Sequence, residues 1–129
     1  MILCLRTDSP TAEVYVYSDN EVVVSRVWEA HRTLARDVLR VCSEACEEAG
    51  ITLQQIMGVI IYQGPGSFTG LRIGVTTANT MAYSLSIPIV GVTGDEWITH
   101  GLTRLHNGEN DQTVLPDYGA EPRITSPIK

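Results

Sequence analysis

Gln63-Gly64-Pro65-Gly66-Ser67-Phe68-Thr69-Gly70-Leu71-Arg72-Ile73-Gly74 stands between two unlike segments. Before it, Val59-Ile60-Ile61-Tyr62 is a short run of branched and aromatic residues, the composition of a buried strand. The glycines and the proline end that run. After Thr69 no glycine cluster or proline follows until Pro88, so a helix is expected there. The unit reads strand, glycine-rich turn, helix.

Gly70, Gly74, Ala78 and Ala82 recur every four residues and would stack on one face of that helix. Each interior glycine costs about 0.8–1 kcal/mol relative to alanine, so a close backbone neighbour is expected to offset them. From Ile73 to Gly94 there is no Asp, Glu, Lys or Arg. Leu71, Ile73, Val75, Met81 and Leu85 spread around the helix, as in a helix buried on more than one side. The expectation is that one side packs on the chain's own sheet and the other on a second protein. The partner face would be Gly70, Ile73, Gly74, Thr77, Ala78, Met81 and Ala82. A central helix of a larger α/β core has the same pattern. A membrane span does not fit the Thr, Asn and Ser content or Pro88.

The 129 residues suit one domain, and 43% hydrophobic with 19% charged residues is a globular composition. A net charge of −6 without basic clusters makes the chain a poor solitary binder of nucleic acid or anionic membrane. Met1-Ile2-Leu3-Cys4-Leu5 lacks the length and flanks of a signal peptide, and a cytoplasmic location is expected. Three cysteines without framework spacing fit a reducing compartment. Cys42 and Cys46 share a helix face, but two ligands do not close a zinc site, so core packing is expected.

Ile2–Leu5, Glu13–Tyr17 and Glu21–Trp28 read as three strands of a meander, with Ser18-Asp19-Asn20 as a hairpin turn. A helix is predicted from a Thr33 cap to Ala49, stopped by Gly50. Its apolar face would be Leu34, Val38, Leu39, Val41, Cys42, Ala45 and Ala49; Arg36, Asp37, Arg40, Glu44, Glu47 and Glu48 would be solvated. Thr52 with Gln55 and Thr93 with Glu96 match capping boxes, predicting a short helix over Leu53–Met57 and a longer one from about Asp95 to Leu105. Ile89-Val90-Gly91-Val92 is a further buried strand. From Asn107 periodicity is lost, so residues 1–106 form the predicted domain and 107–129 a proline-rich, loosely docked arm. The order βββαβαβα, with a short helical turn before the fourth strand, implies an α/β fold: a mixed sheet of ribonuclease-H-like type, the half-unit of actin, Hsp70 and sugar-kinase folds.

The glycine loop is neither a Walker loop nor a dinucleotide fingerprint. Arg72 sits in the first helical turn, where the dipole disfavours a cation, so a carboxylate or phosphate partner, or extension into solvent, is expected. His31, His100 and His106 are scattered, and Ser67 and Thr69 have no evident base, so no catalytic residue is assigned. Asp8 is a lone carboxylate near the first turn, better explained by turn chemistry than by a metal.

Residues 63–74 resemble the signature of the TsaB (YeaZ) family, and the likeness extends through the opening strands, His31 with the next helix, and Pro88-Ile89-Val90-Gly91-Val92. The signature loop is Gly64, Pro65, Gly66, Ser67, Phe68, Thr69, Gly70 and Arg72. The resemblance implies a non-catalytic factor in N6-threonylcarbamoylation of tRNA adenosine 37. It implies pairing, through a bundle containing the helix after the loop, with a catalytic TsaD paralogue or with a second copy. A TsaE-like ATPase would join the complex, and TsaC would make the threonylcarbamoyl-adenylate. ATP or ADP and metal would belong to the partner complex, with no cofactor on this chain and tRNA met only through the complex. Family members usually carry an acidic residue where Arg6 stands, and a second half-domain after the equivalent of Val92. The alternative reading is a small actin-like phosphotransferase or hydrolase, with the glycine loop on phosphate and Asp8 on a metal.

Overall fold

The computed structural model describes residues 1–66 and 68–119, without the side chains of His31 and Phe68. Five strands, β1 (Ile2–Arg6), β2 (Thr11–Ser18), β3 (Glu21–Glu29), β4 (Gly58–Tyr62) and β5 (Ile89–Val92), form one sheet in the order β3-β2-β1-β4-β5. β1–β2 and β2–β3 are antiparallel; β1–β4 and β4–β5 are parallel. The hairpin between β2 and β3 turns at Asp19, whose φ of 56° suits Asp in such a turn. Beyond it, Val16 pairs with Val24 but Tyr17 with Val22, leaving Val23 as a bulge on the edge strand.

Among the described residues three α-helices cover the sheet: α1 (Leu34–Glu48), α2 (Phe68–Leu85) and α3 (Trp97–His106). α1 and α2 lie on one face over Leu3, Leu5, Val14, Val16, Val59 and Ile61. α3 lies on the other, over Cys4, Ile60, Tyr62, Val90 and Val92. All five residues of β4 are buried, as expected of a central strand with helices on both sides. Burying one Leu or Ile side chain contributes about 1.5–3 kcal/mol, so Leu3, Leu5, Ile60 and Ile61, each 0% exposed, anchor the sheet's centre.

α1 ends as the sequence predicts. Gly50 takes φ +85°, its N–H reaches Glu47 O at 3.0 Å, and the Ile51 N–H reaches Cys46 O at 3.0 Å. Thr33 precedes the helix but makes no cap; its hydroxyl donates to Ala30 O at 2.7 Å. Two assignments on α1 reverse. Leu39 is 52% exposed, whereas Asp37 is 7% exposed. Asp37 pairs with Arg36 at 3.0 Å and Arg40 at 3.3 Å, and Leu39 stands on the rim of the space between α1 and α2. The Thr52–Gln55 box forms, with the Thr52 N–H on Gln55 Oε1 at 2.8 Å, but the turn it starts is a 3-10 turn over Leu53–Gln55. The Thr93–Glu96 box does not form: α3 starts at Trp97 after a turn, with no side-chain cap. The start follows Trp97, which is 4% exposed and seated on Tyr62.

The predicted loose arm is not loose over 109–117. Asp111 N–H reaches Ile89 O at 2.8 Å, the Asp111 carboxylate accepts from Gly91 N–H at 2.8 Å, and Arg104 clamps the same carboxylate. These bonds occupy the free edge of β5. Val114 is 4% exposed within the α1–α2 core. The Asp117 N–H donates to Gln63 O at 2.7 Å. This strap ties β5, α2 and the glycine loop together, so the packed unit runs past residue 106. Residues 120–129, the rest of the expected arm, lie outside the described residues.

Candidate functional site

The signature loop leaves β4 toward α2 and is built for close packing. Gly64 has φ +124°, and a Cβ there would collide with Asp117 O. A Cβ on Gly66 would collide with Asp8. One on Gly74 would collide with Thr7 Oγ1, which donates to Gly70 O at 2.7 Å. The glycines therefore let the β1–β2 turn and the strap close onto the loop and the start of α2. The Gly64–Pro65 peptide is cis. Ser67 and the Phe68 side chain lie outside the described residues. Thr69 and Arg72 are exposed on α2's first turns.

This packing moves the expected partner face. Gly74 is buried, and Ala78, Met81 and Ala82 are 0%, 5% and 2% exposed. They face this chain's own core, because small residues let α2 approach β1 closely enough for Thr7 to reach it. Gly70, Ile73 and Thr77 lie at the margin, half-buried, with the Thr77 hydroxyl turned back to Ile73 O at 2.8 Å. The open flank is a quarter-turn away: Thr69, Arg72, Thr76, Thr80, Tyr83 and Ser84. Tyr83 is 87% exposed. Beside this flank, α1 and α2 part to form a groove of about 400 Å³ lined by Val38, Leu39, Leu53, Thr80, Met81 and Leu85. Sequence periodicity placed Leu39 in the core and so missed it as a groove residue; its clue was a position next to Val38 that widened the apolar stripe beyond one contact face.

A second cluster stands at the carboxyl ends of β1 and β4. Arg6 makes a bidentate pair with Asp8, Nε to Oδ1 at 2.7 Å and Nη2 to Oδ2 at 3.1 Å. Hydrogen bonding to Asp8 raises the Arg6 pKa still further. Its guanidinium carbon is 3.9 Å from the Tyr62 ring centroid. Tyr15 donates to Glu13 Oε1 at 2.6 Å, and desolvation followed by that bond pushes its pKa up. A metal-bound nucleotide, which an actin-like fold brings to mind here, does not fit these residues. Both Asp8 oxygens are occupied by a guanidinium, and Asp8 is packed against Gly66.

No catalytic constellation assembles among the described residues. His100 and His106 are exposed on α3, and no three His, Cys, Asp or Glu side chains converge as metal ligands among the described residues. Cys42 and Cys46 are buried, and desolvation pushes their thiols up to about 12 and about 11. No helix among the described residues is long and apolar enough to cross a membrane.

Comparison with known proteins agrees with this architecture. The family profile described as TsaD, tRNA N6-adenosine threonylcarbamoyltransferase, matches residues 28–112. The TsaB protein of Bacillus subtilis, named as a tRNA threonylcarbamoyladenosine biosynthesis protein, is 28% identical over 120 residues, 92% of this chain and 50% of that protein. A tRNA N6-adenosine threonylcarbamoyltransferase of Geotalea uraniireducens is 40% identical over 63 residues, 49% of this chain and 18% of that protein. The solved YeaZ from Pseudomonas aeruginosa superposes with a TM-score of 0.66 at 26% identity, over 71% of this chain and 43% of that one. The chain thus spans about half the length of the TsaB and YeaZ proteins it matches. With the actin-like half-fold, the glycine signature and these relatives in agreement, the chain belongs to the TsaB (YeaZ) family, whose fold is shared with TsaD.

Proposed function

We propose that this chain serves the threonylcarbamoyladenosine modification of tRNA as a non-catalytic partner subunit that binds and stabilises a TsaD-like catalytic paralogue. The observation that carries the reading is the open flank of α2. From Thr69 to Ser84 its exposed side chains include one charge, Arg72, and end on Tyr83, 87% exposed, beside a mainly apolar groove that carries Leu39 at 52% exposure. A surface helix normally turns several charged residues outward, and an apolar groove beside a flank with a single charge marks an interaction surface. The dense packing of the α2 inner face leaves the outer flank rigid, which lowers the ordering cost of docking.

The partner helices would lie in the α1–α2 groove. A TsaE-like ATPase would join that pair, and tRNA would meet the assembly through the partner, since a chain of net charge −6 is a poor independent phosphate binder. Without the paralogue, the same flank would pair two copies of this chain. A cytoplasmic location follows from that role.

Co-expression with the TsaD-like protein of the same genome, followed by affinity capture and light scattering, tests this. Thr80→Glu places a charge in the groove wall and should abolish both hetero- and homo-association while leaving the melting temperature within about 2 °C of wild type, as for other exposed positions. Undiminished pairing by Thr80→Glu refutes the assigned face. Ala78→Glu is not the right probe, because Ala78 is 0% exposed in this chain's own core.

A further inference from the structure

In an open α/β sheet, ligands gather beyond the carboxyl ends of strands from which the chain departs in opposite directions. Here that point lies between β1 and β4. The chain leaves β1 for β2 on one side and leaves β4 for β5 on the other. Arg6, the last residue of β1, stands there on the α3 side. Its guanidinium is forked onto both oxygens of Asp8 at 2.7 and 3.1 Å. It also lies 3.9 Å from the Tyr62 ring centroid and 5.9 Å from that of Trp97. Glu13 is its direct neighbour across the β1–β2 ladder. One fixed positive charge is thus paired with the Asp8 carboxylate and set against two aromatic rings, the rings being 6% and 4% exposed.

We infer that Arg6 fills the cation seat of this sheet with a tethered charge, so that the chain is closed to a metal-bound nucleotide. A divalent metal needs several oxygen ligands, and the Asp8 oxygens already accept N–H donors in the strong bidentate geometry. A metal entering at Asp8 would also face the guanidinium charge. Removing that charge leaves the Asp8 carboxylate without its counter-charge, while Glu13 keeps the hydroxyl bond from Tyr15, and a small cation should then take the guanidinium's place. The inference is independent of pairing through α2, so either can fail without the other.

Three measurements test it. Calorimetric titration of the wild-type chain with Mg²⁺–ATP should give no saturable heat. Arg6→Gln should melt below wild type in metal-free buffer and recover at least half of the loss in millimolar Mg²⁺, whereas wild type should not respond to Mg²⁺. Arg6→Gln/Asp8→Asn, which leaves no orphaned carboxylate at the seat, should fold and be indifferent to Mg²⁺. Saturable Mg²⁺–ATP binding by wild type overturns the inference. So does an Arg6→Gln protein that Mg²⁺ does not stabilise or fold, or a double variant that responds to Mg²⁺ as the single one does.

Discussion

Asn79→Ala should unlock the strap that closes the sheet's edge. Asn79 Nδ2 donates to Val114 O at 2.9 Å, and Asn79 Oδ1 accepts from Val114 N–H at 2.9 Å. Val114 is 4% exposed, so alanine at position 79 leaves both of its peptide groups without a partner and largely without water. An orphaned buried donor or acceptor costs about 1–3 kcal/mol. Two of them, with some relaxation, cost about 2–5 kcal/mol, a large part of the ~5–15 kcal/mol that holds a domain together. For a domain of this size each kcal/mol lowers the Tm by about 3–5 °C. The expected fall is therefore roughly 6–25 °C by thermal circular dichroism. Hydrogen exchange at Val114 should accelerate in the same variant. Leu115→Ala is the control: its side chain is 73% exposed, and it joins the strap through the backbone oxygen that Gln63 Nε2 reaches at 3.0 Å. It should melt with wild type. An Asn79→Ala protein within about 2 °C of wild type would refute the claim that residues 109–117 are part of the folded unit.

Gly74→Ala should destabilise despite alanine's higher helix propensity. The propensity gain is about 0.8–1 kcal/mol, but the new methyl would displace Thr7 and its hydroxyl bond to Gly70 O, an overpacking cost of about 1–3 kcal/mol to be read in urea titrations. Asp37 should contribute to acid sensitivity. Hydrogen bonds from Arg36 and Arg40 hold its pKa down to about 2 against an ordinary 3.8. A carboxyl depressed in the folded state stabilises fully above its unfolded value, and that contribution is lost as the pH falls from about 4 toward 2. Asp37→Asn should flatten the stability–pH slope in that window; an unchanged slope would refute the assignment.

Much of the fold was legible because its signals are local. Val59-Ile60-Ile61-Tyr62 announces a strand buried on both faces, Asp19 a hairpin, Gly50 a helix stop, and the glycine signature both the β4–α2 turn and the family. The α3 start was misplaced because a Thr-x-x-Glu pattern is a weaker determinant than seating Trp97 on Tyr62. Asp37 and Leu39 exchanged roles because neighbouring helix positions differ by about 100° of rotation, and only the packed partner decides which is covered. The strap was invisible in pattern: the Asn79 side chain reaches across 35 positions to the Val114 backbone, whose N–H and carbonyl are groups that nearly every residue carries.

The amino-acid order alone determined the sequence of elements, the buried central strand and the tight corner before α2, since each depends on residues within a few positions of one another. Whether the small-residue face of α2 met its own sheet or another protein was beyond it. Glycine and alanine at every fourth position invite close approach by any backbone. Only the three-dimensional arrangement, with Thr7 seated on Gly74 and Val114 held by Asn79, gave that face to the chain's own core and left the Thr76–Thr80–Tyr83 flank open.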